Sequence, residues 1–268
     1  MKIIDNVEFN NDLPEINSAT FHSLKGNQHP VLVVGMHNSG TSILTEILHK
    51  NGIFFGSNMH HFESHFFSNF INDRIILEGK GNWAKLPILS VDKVLSYESS
   101  VAPIIKAHWL ADYLQWGYDG VSLWGIKDPR LCVLLPLYLK IFPDAKVVHI
   151  MRNPNDVAAS LTGKYKAGVG ILDDFNHWKT LTEAYTKRVV EYKDQCASYY
   201  EINYDVLCTD PVNQTKELFN FLSIPYTSRT EELLTKVSSA RIGSFERWQE
   251  SQKHPLRSKL KSLIGLQR

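Results

Sequence analysis

VLVVGMHNSGTSILTEIL, Val31 to Leu48, is the stretch on which the reading of the whole chain turns. Four branched apolar residues, Val31 to Val34, predict a buried strand, and Gly35 ends it. A turn through Asn38, Ser39 and Gly40 then enters an apolar-periodic helix near Thr41. A tight loop between a strand and a helix N-terminus aims successive N–H groups, and the positive end of the helix dipole, at one point. That geometry suits a phosphate or a sulfate.

The glycine spacing, Gly35 and Gly40 followed by Thr41-Ser42, resembles a Walker A loop in which threonine replaces the lysine. Kinases and ATPases use that lysine on the β- and γ-phosphates. A loop without it points to a nucleotide whose transferable group carries less charge. The competing reading is a plain strand-to-helix turn with no ligand.

Working outward, residues before Gln28 read as a loose lead-in rich in Asn, Asp, Pro and Ser. Ile53 to Gly56 predicts a short strand, and Met59 to Ile76 is helical in its second half. Ser99 to Gln115 predicts a helix with Trp109 and Leu110 on its apolar side. VSLWGIKDPR, Val121 to Arg130, is a core strand ended by KDPR, with a helix starting at Pro129 and running to Phe142. Lys146 to Met151 is another buried strand, and Pro154 opens the helix that follows it. Asp174 to Gln195 reads as helix, Ser198 to Asn203 as strand, and Pro211 to Leu222 and Thr230 to Val237 as helices.

Alternating strands and helices imply an α/β fold, a three-layer sandwich around a central parallel sheet of the P-loop NTPase-like kind. The expected organisation is a lead-in over residues 1–28, one domain over 29–250 and a basic tail over 251–268. Ligands of such sheets bind at the carboxyl ends of strands. The loops at 35–42, 127–130 and 152–160 each follow a strand directly, so they can converge on one cleft. Trp83, in the irregular stretch near Gly79 and Gly81, is either an aromatic wall of that cleft or a packing residue.

With 43% hydrophobic and 21% charged residues among 268, the chain has the composition of a globular protein with a sizeable core. Its formal net charge of +1 gives no global reason to expect nucleic acid as a partner. Cys132, Cys196 and Cys208 are odd in number, widely spaced and free of any CxxC pair. They argue against a disulfide scaffold or structural zinc, and for a reducing, cytoplasmic setting. No apolar run is long enough to span a bilayer. The tail from Lys253 to Arg268 is basic and amphipathic, able to touch an anionic membrane or glycan, or to dock on its own domain.

These motifs resemble the sulfotransferases that use 3′-phosphoadenosine 5′-phosphosulfate (PAPS). NSGTS, Asn38 to Ser42, is similar to their 5′-phosphosulfate loop, and RNPNDVAAS is similar to their 3′-phosphate motif, here Arg152 and Ser160. IKDPRLCVLLPLYLKIFPDAKVVHIMR resembles the stretch between these motifs in tyrosylprotein and polysaccharide sulfotransferases. The resemblance spans residues 30 to 225. It implies PAPS as co-substrate, 3′-phosphoadenosine 5′-phosphate (PAP) as product, no metal, and a hydroxyl acceptor, a saccharide by the polysaccharide likeness. His37, Asn38, Ser39, Gly40, Thr41, Ser42, Arg152 and Ser160 would hold the nucleotide.

One departure stands out: the family commonly has Lys or Arg where this chain has Asn38. The resemblance makes Lys127 the catalytic cation in its place, whereas on residue chemistry alone Lys127 could simply pair with Asp128 or another carboxylate. Attack by a hydroxyl also needs a base. Glu63 is implied by its likeness to the glutamate-bearing segment of heparan sulfate sulfotransferases, with Phe62, Phe66 and Phe67 to desolvate it. His60, His61 and His65 are the alternatives, and His61 and His65 could instead form a metal pair, although the order is not HExxH. Two other classes remain open: a phosphotransferase with a degenerate P-loop, and a non-catalytic nucleotide- or glycan-binding relative.

Overall fold

The computed structural model describes residues 29–56, 62–79, 82–162, 164, 174–237 and 242–253. The elements in chain order are β1 (Val31–Val34), α1 (Thr41–Lys50), β2 (Ile53–Phe54), a π-helical segment Phe66–Asn72 continuing into α2 (Asp73–Glu78), α3 (Val91–Leu95) and α4 (Glu98–Gln115). Then come β3 (Leu123–Lys127), α5 (Leu131–Ile141), β4 (Lys146–Met151), α6 (Pro154–Leu161), α7 (Phe175–Tyr192) and β5 (Ser198–Asn203). Four helices follow: α8 (Tyr204–Thr209), α9 (Pro211–Leu222), α10 (Ser228–Leu234) and α11 (Ser244–Lys253).

The strands form one sheet in the order β2-β3-β1-β4-β5, and every pair is parallel. β1 lies at the centre, with Val33 opposite Lys127 on one side and Val34 opposite His149 on the other. All four of its residues are buried because each face is covered. Strand period two then sorts them. Leu32 and Val34 join the core under α4, α5, α6 and α7, while Val31 and Val33 join the core under α1, α8, α9 and α10. This is the expected three-layer α/β sandwich.

α1 therefore leaves β1 toward one face, whereas α5 and α6 leave β3 and β4 toward the other. The strand order reverses around β1, and a crevice opens at that point along the carboxyl edge. α5 is buried on every side, from Leu131 to Leu139, which explains its uniformly apolar sequence.

Most elements fall where the pattern places them, with informative differences. The helix after KDPR begins at Leu131, not Pro129, because Asp128 to Arg130 form a turn in which Leu131 N donates to Asp128 O at 3.0 Å. α3, α8 and α11 were not anticipated. α8 has a legible cap: the Asn203 side chain accepts from the N–H groups of Asp205 and Val206 at 2.8 and 3.2 Å.

Candidate functional site

The β1–α1 loop is shaped by close approach. A Cβ on Gly35 would lie 2.6 Å from the Ile150 carbonyl oxygen of β4, and one on Gly40 would lie 2.2 Å from the Tyr204 ring. Gly40 also has φ of +97°, open to glycine and costly for other residues. As the N-cap of α1 it carries no side chain to cap the first turn, and no acidic residue lies there. An uncapped first turn without a carboxylate, at the start of a ten-residue helix, has the make-up of an anion site. Ser39 is held inward, its N–H donating to Met36 O at 3.1 Å and its hydroxyl to the same oxygen.

β3 delivers Lys127 to the loop. Its side chain is 2% exposed, and Nζ donates to Glu63 Oε1 at 2.7 Å and to Ser42 Oγ at 3.4 Å. The two catalytic candidates therefore meet each other beside the loop. Phe62, immediately before Glu63, has φ of +61°, an uncommon conformation for an aromatic residue. Phe67 packs into the core against Tyr113, Trp124 and Tyr138, and the Glu63 carboxylate has Lys127 Nζ at 2.7 Å and Arg130 Nη2 at 4.0 Å.

Asp128 points away from Lys127 and into a buried network that the sequence did not disclose. It accepts from Arg130 Nε at 2.9 and 3.0 Å and from Asn72 Nδ2 at 3.0 Å, and Asn72 in turn accepts from Tyr138 OH at 2.6 Å. Arg130 also reaches Ser68 Oγ at 2.7 Å and Asp73 Oδ1 at 2.8 Å, and its Nη2 stands 4.0 Å from Glu63 Oε2. The network ties the π-helical segment to the KDPR turn, and so fixes the chain on both sides of the Glu63–Lys127 pair.

β4 and α6 supply the remaining side. Arg152 Nη1 donates to Asn38 O at 2.8 Å, Nη2 to Ser244 Oγ at 2.9 Å, and the guanidinium lies over the Tyr204 ring at 4.9 Å. Asn38 Nδ2 donates to Ser160 Oγ at 3.2 Å and to Ser160 O at 3.5 Å. Asp156 Oδ1 accepts from Phe245 N at 2.9 Å, which seats α11 against α6. Burial first, and then the nearby Asp156 carboxylate, push the Asp205 carboxyl above its usual range.

All three loops thus converge, and Glu63, Lys127, Ser42, Asn38, Arg152 and Ser160 lie in two clusters joined by the β1–α1 loop. Thr41 begins α1 and is buried. His37 packs tilted against Trp83, ring centroids 4.1 Å apart, and Trp83 stacks against Trp178 at 5.9 Å. Trp83 thus packs against both the loop residue His37 and the core residue Trp178. His65 is exposed with its ring edge-on to Phe70 at 5.0 Å, while His60 and His61 lie outside the described residues, as does the tail beyond Lys253. Ser244 and Tyr204 are the site residues that sequence reasoning missed. Tyr204 directly follows the Asn203 cap at a strand exit, a signal that was present; nothing local pointed to Ser244.

A family model described as the sulfotransferase family matches residues 30–228. This chain belongs to the sulfotransferase family. A curated relative from Aquifex aeolicus, an uncharacterized protein, is 24% identical over 260 residues, covering 86% of this chain and 32% of that protein. The chain therefore spans about a third of that relative's length. Among solved structures, the sulfotransferase domain of the Synechococcus PCC 7002 olefin synthase is 17% identical, covers 81% of this chain and 80% of its own, and superposes with a TM-score of 0.50. Mouse sulfotransferase SULT7A1, solved with PAP, is 16% identical, covers 85% and 71% of the two chains, and has a TM-score of 0.49. At these identities the likeness to the olefin synthase domain is one of fold. No described helix of this sulfotransferase-family chain is long and apolar enough to cross a membrane.

Proposed function

We propose that this protein transfers a sulfuryl group from PAPS to a hydroxyl of an acceptor, a saccharide, with residues 29–250 as the catalytic unit. The observation that carries the reading is the meeting of Lys127 Nζ with Glu63 Oε1 at 2.7 Å and Ser42 Oγ at 3.4 Å. A proton acceptor, a cation and the anion-binding loop stand within one small volume. The donor set suits a nucleotide with anionic groups at two places: loop N–H groups, Thr41, Ser42 and Lys127 at one, Arg152 and Ser160 at the other.

Glu63 is assigned the acceptor's proton as the hydroxyl oxygen attacks sulfur. The bond from sulfur to the bridging phosphate oxygen breaks in line, and PAP leaves with the charge. Lys127 and the loop N–H groups face the oxygens on which that charge develops. Lys127 can serve both partners, since its ammonium already bridges Glu63 and the loop. The unusual φ of Phe62 agrees with a functional constraint at Glu63, because strained backbone concentrates where geometry is imposed. Three free cysteines accord with a reducing, cytoplasmic setting.

The test is release of PAP from PAPS in the presence of a panel of hydroxyl acceptors, glycans first, with and without chelator. Acceptor-dependent release that survives chelation supports the reading, and strict dependence on magnesium would sink it.

A further inference from the structure

We infer that Asn38 is a positioning residue that pre-organises the 3′-phosphate grip and so sets the selectivity of the site for a 3′-phosphorylated nucleotide. This rests on the proposed reading of Arg152 and Ser160 as that grip. Asn38 belongs to the opposite half of the site, the β1–α1 loop, and yet it engages both residues. Its carbonyl oxygen accepts from Arg152 Nη1 at 2.8 Å, and its Nδ2 donates to Ser160 Oγ at 3.2 Å and to Ser160 O at 3.5 Å. A backbone carbonyl can only accept, so the contact with Ser160 O fixes which end of the amide faces α6.

The direction of this bond matters. Because Ser160 Oγ accepts from Asn38, this contact does not use the hydroxyl's own hydrogen, which can be donated to a phosphate. Arg152 is held to Asn38 as well, through Nη1. Asn38 thereby holds a hydroxyl donor 122 positions away and a cation 114 positions away in fixed relation. Its backbone, at φ of +62°, is one that asparagine adopts readily and most other side chains do not. A lysine or arginine here would set a second cation against Arg152 and could not present a carboxamide to Ser160. Asparagine at this position therefore exchanges a charge near the transferred group for order at the distant phosphate.

The experiment compares binding of adenosine 3′,5′-bisphosphate and adenosine 5′-monophosphate, by calorimetry, to the wild type, Asn38→Gly, Asn38→Asp, Ser160→Ala and the Asn38→Gly/Ser160→Ala pair. Glycine keeps the positive φ and removes only the amide. We expect the wild type to prefer the bisphosphate, and Asn38→Gly and Ser160→Ala each to cut that preference about five- to tenfold, the effect of one ordered hydrogen bond. The double variant should lose no more than the larger single loss, as groups acting as one unit do. Asn38→Asp should lose more, because a carboxylate would draw the Ser160 hydrogen to itself and repel the phosphate. An unchanged preference in Asn38→Gly, or losses that multiply in the double variant, would overturn the inference while leaving the site reading intact. Absence of any 3′ preference in the wild type would overturn both.

Discussion

Replacing Arg130 by leucine removes the cation at the centre of the network beneath the Glu63–Lys127 pair. The magnitude follows from what is stranded. Asp128 is 0% exposed and, among the described residues, keeps Asn72 Nδ2, at 3.0 Å, and the backbone N–H of residue 130, at 2.8 Å, after its countercharge is gone. Removing one partner of a buried ion pair costs about 3–5 kcal/mol, because the remaining charge is unpaired in a poorly polarisable interior. The lost contact to Asp73, 41% exposed, adds little. For a chain of this size the corresponding fall in Tm is roughly 6–20 °C. Urea unfolding followed by tryptophan fluorescence measures it directly. Adding Asp128→Asn removes the stranded charge and keeps one acceptor oxygen, enough for one of the two remaining donors, which bond different oxygens of the carboxylate. The double variant should therefore regain at least about 1 kcal/mol over Arg130→Leu alone. A loss below about 1 kcal/mol for Arg130→Leu, or strict additivity of the two changes, would refute the reasoning.

Glu63→Gln keeps shape and hydrogen bonding but cannot accept a proton, so turnover should fall about 10²–10⁴-fold with PAPS affinity little changed. Lys127→Ala should lower both turnover and nucleotide affinity, and normal turnover in Glu63→Gln would move the base to a histidine. Arg152→Ala should weaken PAP binding more than Ser160→Ala, since a charge-assisted bond is worth about 1.5–3 kcal/mol against roughly 1 for a neutral one; calorimetry giving the reverse order would contradict the assignment. His149, in the middle of β4, is pushed down to about 4 by burial. Above pH 6.5 the imidazole is neutral folded or unfolded; between 6.5 and about 4 only the unfolded chain takes up the proton, so stability should decline with acidification by at most ~3 kcal/mol and level off below. Denaturation at stepped pH should show this slope in the wild type and a flatter one in His149→Gln.

Local sequence determined most of the elements, α3, α8 and α11 excepted, because their signals are local. Val31 to Val34 reads as a buried strand, the Gly35–Gly40 spacing as a tight turn into a helix, and Pro154 as the first turn of α6, where Asn153 caps it. Three strand exits bearing polar motifs foretold a shared cleft, since parallel strands present their carboxyl ends on one edge. What the sequence could not fix was which side chain meets which. Whether Lys127 pairs with Asp128 or with a more distant carboxylate depends on which partners the assembled fold brings to each. Lys127 then reaches Glu63, 64 positions away, and Asp128 reaches Arg130. Asn38 read as a missing charge until the placement of β4 beside β1 brought Ser160 within 3.2 Å of its amide. Ser244 reached Arg152 across 92 positions through the docking of α11 on α6, which no periodicity encodes. Propensity and spacing act over a few residues, whereas strand order and register decide the contacts that complete a site, and those arise only when the whole sheet is assembled.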